Sequence, residues 1–263
     1  MSQPTIGIVI QGPTAFAERL LPVYAGYPAL LWSTWKNEPP AALARIRSAG
    51  VEVLLNDPPL VKGESYINYQ CVSTYQGILA LDAAQPCDYY LKVRPDMTID
   101  ALDVFLDNVR EALTHSDLAF LGGHKRKGGY LMDYIVAGRK AEMLRFWEPA
   151  LASESGKPFP ETWLQTRYFG VPDKGWLGFF QEQVSLISLK GTDVHALKWN
   201  YRFSQLPPAL YLLNRPPHRV GWIYNAVSLV HWLLRKYLFK RIPVQKPGQA
   251  LRLRQAGHPA RRQ

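Results

Sequence analysis

Residues 5–13 read Thr-Ile-Gly-Ile-Val-Ile-Gln-Gly-Pro, an apolar, β-branched run that ends in a polar turn. A short apolar run bounded by turn residues predicts a buried strand. Similar runs occur at 29–33 and 51–55, and segments with helical periodicity lie at 39–49 and 66–84. This alternation of strand and helix predicts an α/β sandwich with a mostly parallel central sheet covered by helices on both faces.

Polar residues follow each predicted strand at the point where it ends. They are Gln11, Gly12 and Pro13 after the first strand, Ser33 and Thr34 after the second, Asp57 after the third, and Lys92, Arg94 and Asp96 at the end of a fourth strand, 89–93. In open parallel sheets, ligands bind outside the carboxyl ends of the strands. The pattern therefore predicts a nucleotide site along one edge of the sheet.

The Lys92-x-Arg94-x-Asp96 pattern has the spacing that places all three side chains on one face of a strand. Two cations and a carboxylate suit a metal-bridged diphosphate, because the carboxylate can hold the metal and the cations can contact phosphate oxygens. The alternative is an ion-pair ladder at the edge of a sheet, in which the cations only orient Asp96. The pattern alone leaves both interpretations open.

The charge of the chain is concentrated in its last part. The net charge is +10, yet the residues after Asp193 contain no Asp or Glu and 13 Lys or Arg, so residues 1–193 have a net charge of −3. This distribution argues against a nucleic-acid-binding core. Cys71 and Cys87 have no metal-ligand spacing, and no secretory signal opens the sequence, so we expect a cytoplasmic protein.

We expect residues 1–205 to form the catalytic domain and residues 206–263 to form a Pro-rich connector, a basic helix and a disordered end. Residues 220–241 combine apolar residues at helical spacing with Trp222, Trp232 and basic pairs. That composition is typical of a helix lying on an anionic membrane surface. The alternative is a helix packed on its own domain or on a second subunit.

Several motifs of this chain occur together in one known family. They are 8–13 (Ile-Val-Ile-Gln-Gly-Pro), 31–35 (Leu-Trp-Ser-Thr-Trp), 68–70 (Asn-Tyr-Gln) with Gly77 downstream, 92–97 (Lys-Val-Arg-Pro-Asp-Met) and the element from Asp133 to Gly138. In this combination the chain resembles the WavE-type lipopolysaccharide synthesis proteins, glycosyltransferases of bacterial surface polysaccharides. The resemblance covers roughly residues 5–190.

The resemblance implies a GT-A-like, Rossmann-type fold that binds a nucleotide sugar, often with a divalent metal such as Mn²⁺ or Mg²⁺. Asp96 stands where GT-A enzymes place their metal-binding D-x-D motif, but Arg94 replaces the first acid. Arg94 could therefore neutralise the diphosphate itself, and the metal is an open expectation. GT-A enzymes also frequently supply a C-terminal histidine to the metal, which makes His195 a candidate second ligand.

Further donor-binding roles follow from the same resemblance. Gln11, with the turn Gly12-Pro13, would cradle the nucleoside, and Asp57 would contact the base or the ribose. Asn68 and Gln70 would face the donor pocket from the helix before the fourth strand. The competing interpretations are a tight turn at Gln11, turn capping by Asp57 and a solvated helix face for Asn68 and Gln70.

Inverting transfer needs a carboxylate that removes the proton of the acceptor hydroxyl. The candidates are Asp133 and Glu182, and we expect Glu182 to be buried because its neighbours are apolar. A salt bridge at Glu182 and helix capping by Asp133 are the alternatives.

Together these features predict a cytoplasmic glycosyltransferase, peripheral on the inner bacterial membrane, that moves a sugar from a nucleotide-sugar donor to a lipid-linked glycan. One alternative is a sugar nucleotidyltransferase, but residues 11–14 lack the Gly-rich, Arg-containing loop of that class. Another is a non-catalytic, membrane-associated assembly partner that has kept the fold.

Overall fold

The computed structural model describes residues 3–125, 129–149, 160–173, 175–208, 210–214, 229–230 and 233. The chain divides into two compact units, Met1–Arg219 and Val220–Gln263. In the second unit, residues 229, 230 and 233 are helical, and the rest of the membrane helix predicted at 220–241 lies outside the described residues. No helix within the described ranges is long and apolar enough to cross a membrane.

The first unit contains thirteen described strands. These are β1 Ile6–Gln11, β2 Leu30–Trp35, β3 Glu52–Asn56, β4 Tyr89–Val93, β5 Met97–Asp100, β6 Leu118–Phe120, β7 Gly123–His124, β8 Tyr130–Leu131, β9 Ile135–Gly138, β10 Ser185–Leu186, β11 Asp193–Ala196, β12 Tyr201–Arg202 and β13 Tyr211–Leu212. The described helices are α1 Ala17–Tyr24, α2 Pro40–Ser48, α3 Ile67–Ala84, α4 Leu102–Leu113, α5 Lys140–Phe146, α6 Pro160–Phe169 and α7 Gly175–Gln183.

Seven strands form the central sheet in the order β10-β6-β9-β4-β1-β2-β3. β1 pairs in parallel with both β2 and β4, and β2 pairs in parallel with β3. β9 runs antiparallel between β4 and β6. The predicted α/β fold with a mostly parallel sheet is confirmed.

The strand order reverses at β1. The chain first adds β2 and β3 on one side of β1, and α3 then carries it back so that β4 pairs on the other side. The carboxyl ends of β1 and β4 therefore flank the topological switch point of the sheet, where connecting chains lead away in opposite directions and leave a crevice.

Helices cover both faces of the sheet. α3 packs on β1, β2 and β3 and also contacts α5, which in turn contacts α6. On the opposite face, α1 contacts α2 and β5, and the hydroxyl of the buried Tyr24 donates to the Met97 carbonyl at 3.0 Å. β1, β2 and β4 are buried along their whole length, which explains why their sequences are continuous apolar runs rather than alternating ones.

The stretch 153–178 is rich in Gly, Pro, Trp and Tyr, and this composition predicts an irregular segment. In the structure one helix lies within it and a second begins in it. α6 begins at Pro160, and α7 begins at Gly175, which has a φ of +74°. Aromatic side chains on both helices pack together, with the Phe169 and Phe179 rings 5.1 Å apart. The prediction was wrong because it weighed the Gly and Pro residues and not the packing of these aromatic side chains, which stabilises the helices.

Candidate active site at the switch point

The turns that follow β1 and β4 touch each other. Gly12 has a φ of +122°, and a Cβ added to it would lie 3.1 Å from Cγ of Pro95. The Gly12 backbone is held by two bonds: its N–H donates to the Ser33 carbonyl, and Trp32 Nε1 donates to its carbonyl, each at 3.0 Å. This close approach brings the buried Gln11 to the same edge as the end of β4.

Arg94 and Asp96 form a bidentate ion pair in the turn between β4 and β5. Arg94 Nε donates to Asp96 Oδ1 and Nη2 to Oδ2, each at 3.0 Å. The Asp96 side chain is 4% exposed and the Arg94 side chain 20% exposed. The Arg94 guanidinium also lies over two rings, 4.8 Å from that of Tyr134 and 5.2 Å from that of Trp199. The fork is therefore held in one orientation.

Lys92 is a fully buried cation beneath this pair. Its ammonium donates to the Asp133 backbone carbonyl and, at 3.2 Å, to Gln70 Oε1, and it lies 4.5 Å from the Trp147 ring. Within the described ranges it has no carboxylate partner within 4.0 Å, and burial lowers its pKa to about 8. Lys92 thus binds the loop that contains Asp133. In the ion-pair alternative, Lys92 would instead orient Asp96.

Asp133 lies between β8 and β9 and is 3% exposed. It does not precede a helix, so the capping alternative does not apply. Its Oδ1 is 3.9 Å from Arg94 Nη1 and has no hydrogen-bond partner among the residues that the structure describes. A buried carboxylate oxygen without a hydrogen bond is expensive, and such atoms in a folded protein are typical of binding or catalytic sites.

Glu161, in the first turn of α6, joins this cluster although the sequence reasoning missed it. One helical turn further, the buried Gln165 accepts a bond from the Leu131 N–H at 3.0 Å, which places this face of α6 against the strand leading to Asp133. Partial burial and then the negative charge of Asp133 raise the pKa of Glu161. Near neutral pH, Glu161 therefore tends to keep its proton.

The charges of the cluster compensate one another. Burial alone would lower the pKa of Arg94, but Asp133 and Asp96 outweigh it and raise that pKa. Two cations, Lys92 and Arg94, face two carboxylates, Asp96 and Asp133, and the proton on Glu161 avoids a third negative charge. The structure brings four of the predicted charged residues, Lys92, Arg94, Asp96 and Asp133, to one place.

The predicted donor-binding residues at the ends of β2 and β3 are engaged with one another. The Ser33 hydroxyl donates to the Ser73 carbonyl at 2.6 Å and accepts from Asn56 Nδ2 at 2.9 Å. Asn56 Nδ2 also donates to the Thr34 carbonyl at 2.8 Å, and all three side chains are buried. Thr34 Oγ1 itself has no hydrogen-bond partner within the described ranges.

The remaining predicted donor-binding residues lie around this edge. Asp57 forms a surface ion pair with Lys36, 78% and 57% exposed, with Nζ and Oδ2 2.7 Å apart. Asn68 is buried and donates to the Val61 carbonyl at 3.0 Å, which fixes the loop between β3 and α3. Of the two α3 candidates, only Gln70 contacts the charged cluster, through Lys92.

The residues near Asp96 do not fit a divalent cation well. Both carboxylate oxygens of Asp96 accept bonds from Arg94. His195, on β11, lies with its Nε2 3.3 Å from Asn200 Oδ1. No group of three or more His, Cys, Asp or Glu side chains within the described ranges is arranged to hold a metal ion. The metal roles of Asp96 and His195 remain predictions.

Glu182 is exposed at the end of α7. The expectation that apolar neighbours bury it was wrong, because these residues are helical and the apolar side chains lie on another face from Glu182. The physical reason for choosing it as the base is therefore removed, and Asp133 is the better candidate.

No protein-family model and no curated protein matches the chain. Solved structures with a similar fold include a 4-diphosphocytidyl-2C-methyl-D-erythritol synthase from Anaerococcus prevotii (12% identity, TM-score 0.44), covering 71% of this chain and 89% of that one. A cytidylyltransferase from Leptospira borgpetersenii is also similar (12% identity, TM-score 0.37), covering 64% of this chain and 70% of that one.

A third similar structure, described as a mannose-1-phosphate geranyltransferase from Thermus thermophilus, has 13% identity and a TM-score of 0.35, and the match covers 70% of this chain and 73% of that one. The first two are described as cytidylyl enzymes. Nucleotidyl transfer is an alternative in the sequence analysis, whose main prediction is glycosyl transfer. Identities and TM-scores this low do not decide which transfer this chain performs.

Proposed function

We propose that this protein is a glycosyltransferase that binds a nucleotide sugar at the β1/β4 switch point and transfers the sugar to a glycan acceptor. The observation that carries the proposal is the buried cluster of Arg94, Asp96, Asp133 and Glu161 at the one place where an open α/β sheet presents a crevice. The raised pKa values of Arg94 and Glu161 in such a place are typical of catalytic sites.

The accessible part of the cluster is suited to a sugar diphosphate. Arg94 keeps N–H donors that Asp96 does not use, and a guanidinium fork matches phosphate oxygens. Trp199 is 41% exposed beside it, with Tyr134 5.4 Å away. Aromatic rings of this kind offer a flat apolar surface to a sugar ring, while Lys92 and Gln70 support the cluster from below.

Asp133 is the proposed base. Transfer with inversion requires one carboxylate to accept the acceptor hydroxyl proton while the sugar carbon is attacked and the nucleoside diphosphate leaves. Within the described part of the chain, Asp133 Oδ1 has no hydrogen-bond partner to compete with that hydroxyl. Glu161, which tends to hold its proton near neutral pH, is the neighbouring acid that can exchange a proton with the site.

The rival reaction is nucleotidyl transfer, in which a sugar phosphate attacks a nucleoside triphosphate. In the structure only Gly12 and Pro13 separate β1 from the 3-10 turn Thr14–Phe16. The Gly-rich, Arg-containing loop that is expected of nucleotidyltransferases does not fit in this two-residue connection. We therefore favour glycosyl transfer.

The biological setting is also part of the proposal. The motifs shared with WavE-type proteins support a role in lipopolysaccharide or capsule assembly. The basic composition of 220–241 supports attachment to an anionic inner membrane. Both rest on sequence, and the acceptor would then be a lipid-linked glycan.

A product assay separates the two reactions. The purified chain would be incubated with a panel of nucleotide sugars, and release of nucleoside diphosphate measured; in parallel, it would be given nucleoside triphosphates with sugar 1-phosphates, and release of pyrophosphate measured. Glycosyl transfer predicts the first product alone, lost in Asp133→Asn and kept in Lys36→Met. Pyrophosphate release would establish the rival, and neither product would refute both.

A further inference from the structure

We propose that Arg94 occupies the position that a divalent cation would otherwise take beside Asp96, so that this site binds the diphosphate of its substrate without a metal. The inference deepens the proposed function and rests on it for the identity of the anionic group. Its structural basis is the bidentate Arg94–Asp96 pair and the absence of a second suitable ligand within the described residues.

Both oxygens of Asp96 are already engaged by a cation. Each accepts an Arg94 N–H at 3.0 Å, and the side chain is 4% exposed. A metal ion would either share an oxygen with the guanidinium and lie beside its positive charge, or replace one of these bonds and leave Arg94 partly uncompensated. Breaking a buried pair in this way is strongly unfavourable.

The guanidinium cannot easily turn away to make room. The rings of Tyr134 and Trp199 lie 4.8 Å and 5.2 Å from Arg94 Cζ, and the Tyr134 carbonyl accepts the Arg94 backbone N–H at 3.1 Å. The fork is therefore preorganised. Its remaining N–H donors are planar, permanently charged and geometrically matched to phosphate oxygens.

The neighbouring groups also disfavour a metal. Asp133, the nearest other carboxylate, has its Oδ1 3.9 Å from Arg94 Nη1, and its loop is bound by the Lys92 ammonium, so a divalent ion there would face two cations. Mg²⁺ and Mn²⁺ favour carboxylate and other oxygen ligands that can approach from several sides. His195 is directed to Asn200.

Two titrations of the full chain test the inference. In the first, Mn²⁺ is added to the metal-free protein in a calorimeter, with Asp96→Asn as the comparison. In the second, inorganic pyrophosphate is added with and without excess EDTA. We expect no Mn²⁺ binding that depends on Asp96, and a pyrophosphate affinity that EDTA changes by less than about twofold.

Substitutions of Arg94 test whether its guanidinium provides the pyrophosphate affinity. Arg94→Met is expected to lower it about tenfold or more, as a charge-assisted bidentate contact of 1.4 kcal/mol or more would. Arg94→Lys keeps the charge without the fork and should recover only part of it. Lys36→Met, an exposed cation at the same edge, serves as the control and should change it less than about twofold.

The outcomes are distinct. One-to-one Mn²⁺ binding that Asp96→Asn abolishes, or pyrophosphate binding that EDTA removes, overturns the inference and leaves the proposed function standing. No pyrophosphate binding under either condition overturns both. The Mn²⁺ arm needs only the wild-type chain and the conservative Asp96→Asn variant, so an unstable Arg94→Met protein does not prevent the test.

Discussion

The carboxyl ends of the strands form one polar edge of the central sheet. The polar groups after β2 and β3 differ from those after β4 in how they are hydrogen-bonded. At the ends of β2 and β3, Ser33 and Asn56 bond to each other and to nearby carbonyls, and Asp57 pairs with Lys36 in solvent. At the end of β4, by contrast, Asp133 keeps an oxygen that bonds to no described residue, and Lys92 is buried with no carboxylate of the described ranges within 4.0 Å.

This difference shows which polar strand ends build the fold and which are available for chemistry. The bonds of Ser33 and Asn56 stabilise the sheet edge, and the group left without a bond there, among the described residues, is the neutral Thr34 hydroxyl. A cluster with an unpartnered carboxylate oxygen and perturbed pKa values retains capacity that only a ligand, water or reaction can use. Both groups of polar residues follow parallel strands, so their position in the fold alone does not show which group is available for chemistry.

The largest expected difference is catalytic. Asp133→Asn should lower the transfer rate about 10²- to 10⁴-fold, because it removes the proposed base while keeping the shape of the side chain. Lys36→Met, at the other end, should leave the rate within about twofold. The measurement is the initial rate of nucleoside diphosphate release at saturating donor. Equal effects of the two variants would mean that the comparison between the ends is wrong.

The two ion pairs should differ strongly in stability. Arg94→Met leaves Asp96 buried without its partner, which should lower the free energy of unfolding by about 3 kcal/mol. Lys36→Met removes a pair in which both side chains are more than half exposed. It should change the free energy of unfolding by less than about 1 kcal/mol. Urea denaturation measures both, and a reversed order would refute the assignment of the Arg94 pair as buried and structural.

The hydrogen-bond network of Ser33 and Asn56 should matter for folding and not for chemistry. Asn56→Ala removes the bonds to Ser33 Oγ and the Thr34 carbonyl, and should lower the free energy of unfolding by about 1–3 kcal/mol. The shape of the pH–rate profile should stay unchanged because no titrating group is touched. A shifted profile would indicate that the network participates in the reaction.

The smallest effect concerns pH. Folding raises the pKa of Glu161 above its ordinary value of 4.5, so the native state binds more protons than the unfolded state above that pH. The contribution of Glu161 to stability is complete below pH 4.5 and is lost as the pH rises through the raised pKa. The Glu161→Gln variant should not show this decrease in stability with rising pH. Urea denaturation from pH 4 to 8 measures it, and parallel pH dependences of variant and wild type would contradict the assignment.

Much of this architecture can be predicted from the sequence because the strands are buried on both faces. Runs such as 5–10 and 89–93 need no alternation to be recognised, and the order of strands and helices then predicts a sheet whose carboxyl ends share an edge. Lys92, Arg94 and Asp96 follow from that geometry. The bidentate fork does not, since spacing predicts a shared face but not which partner each side chain selects.

The residues that the sequence reasoning missed or misplaced lie where tertiary packing determines the local structure. Glu161 follows Pro160 in a segment predicted to be irregular; a proline at the first position of a helix with an acid in the first turn is nevertheless a helix-start signal that could have identified it. Glu182 shows the opposite error. Apolar neighbours in sequence do not bury a residue when the helix turns it toward solvent.

The Asp96 backbone carbonyl accepts the Leu197 N–H at 2.8 Å, at the point where β11 joins β5. About 100 of the 263 residues therefore separate the two sides of the candidate site in the sequence. During synthesis, β1 to β4 emerge from the ribosome well before the segment that fixes Asp96 and supplies Trp199, and domains of this size are made over roughly 10–50 s. The newborn chain can form its sheet early, but it acquires a working site only when its last strands dock.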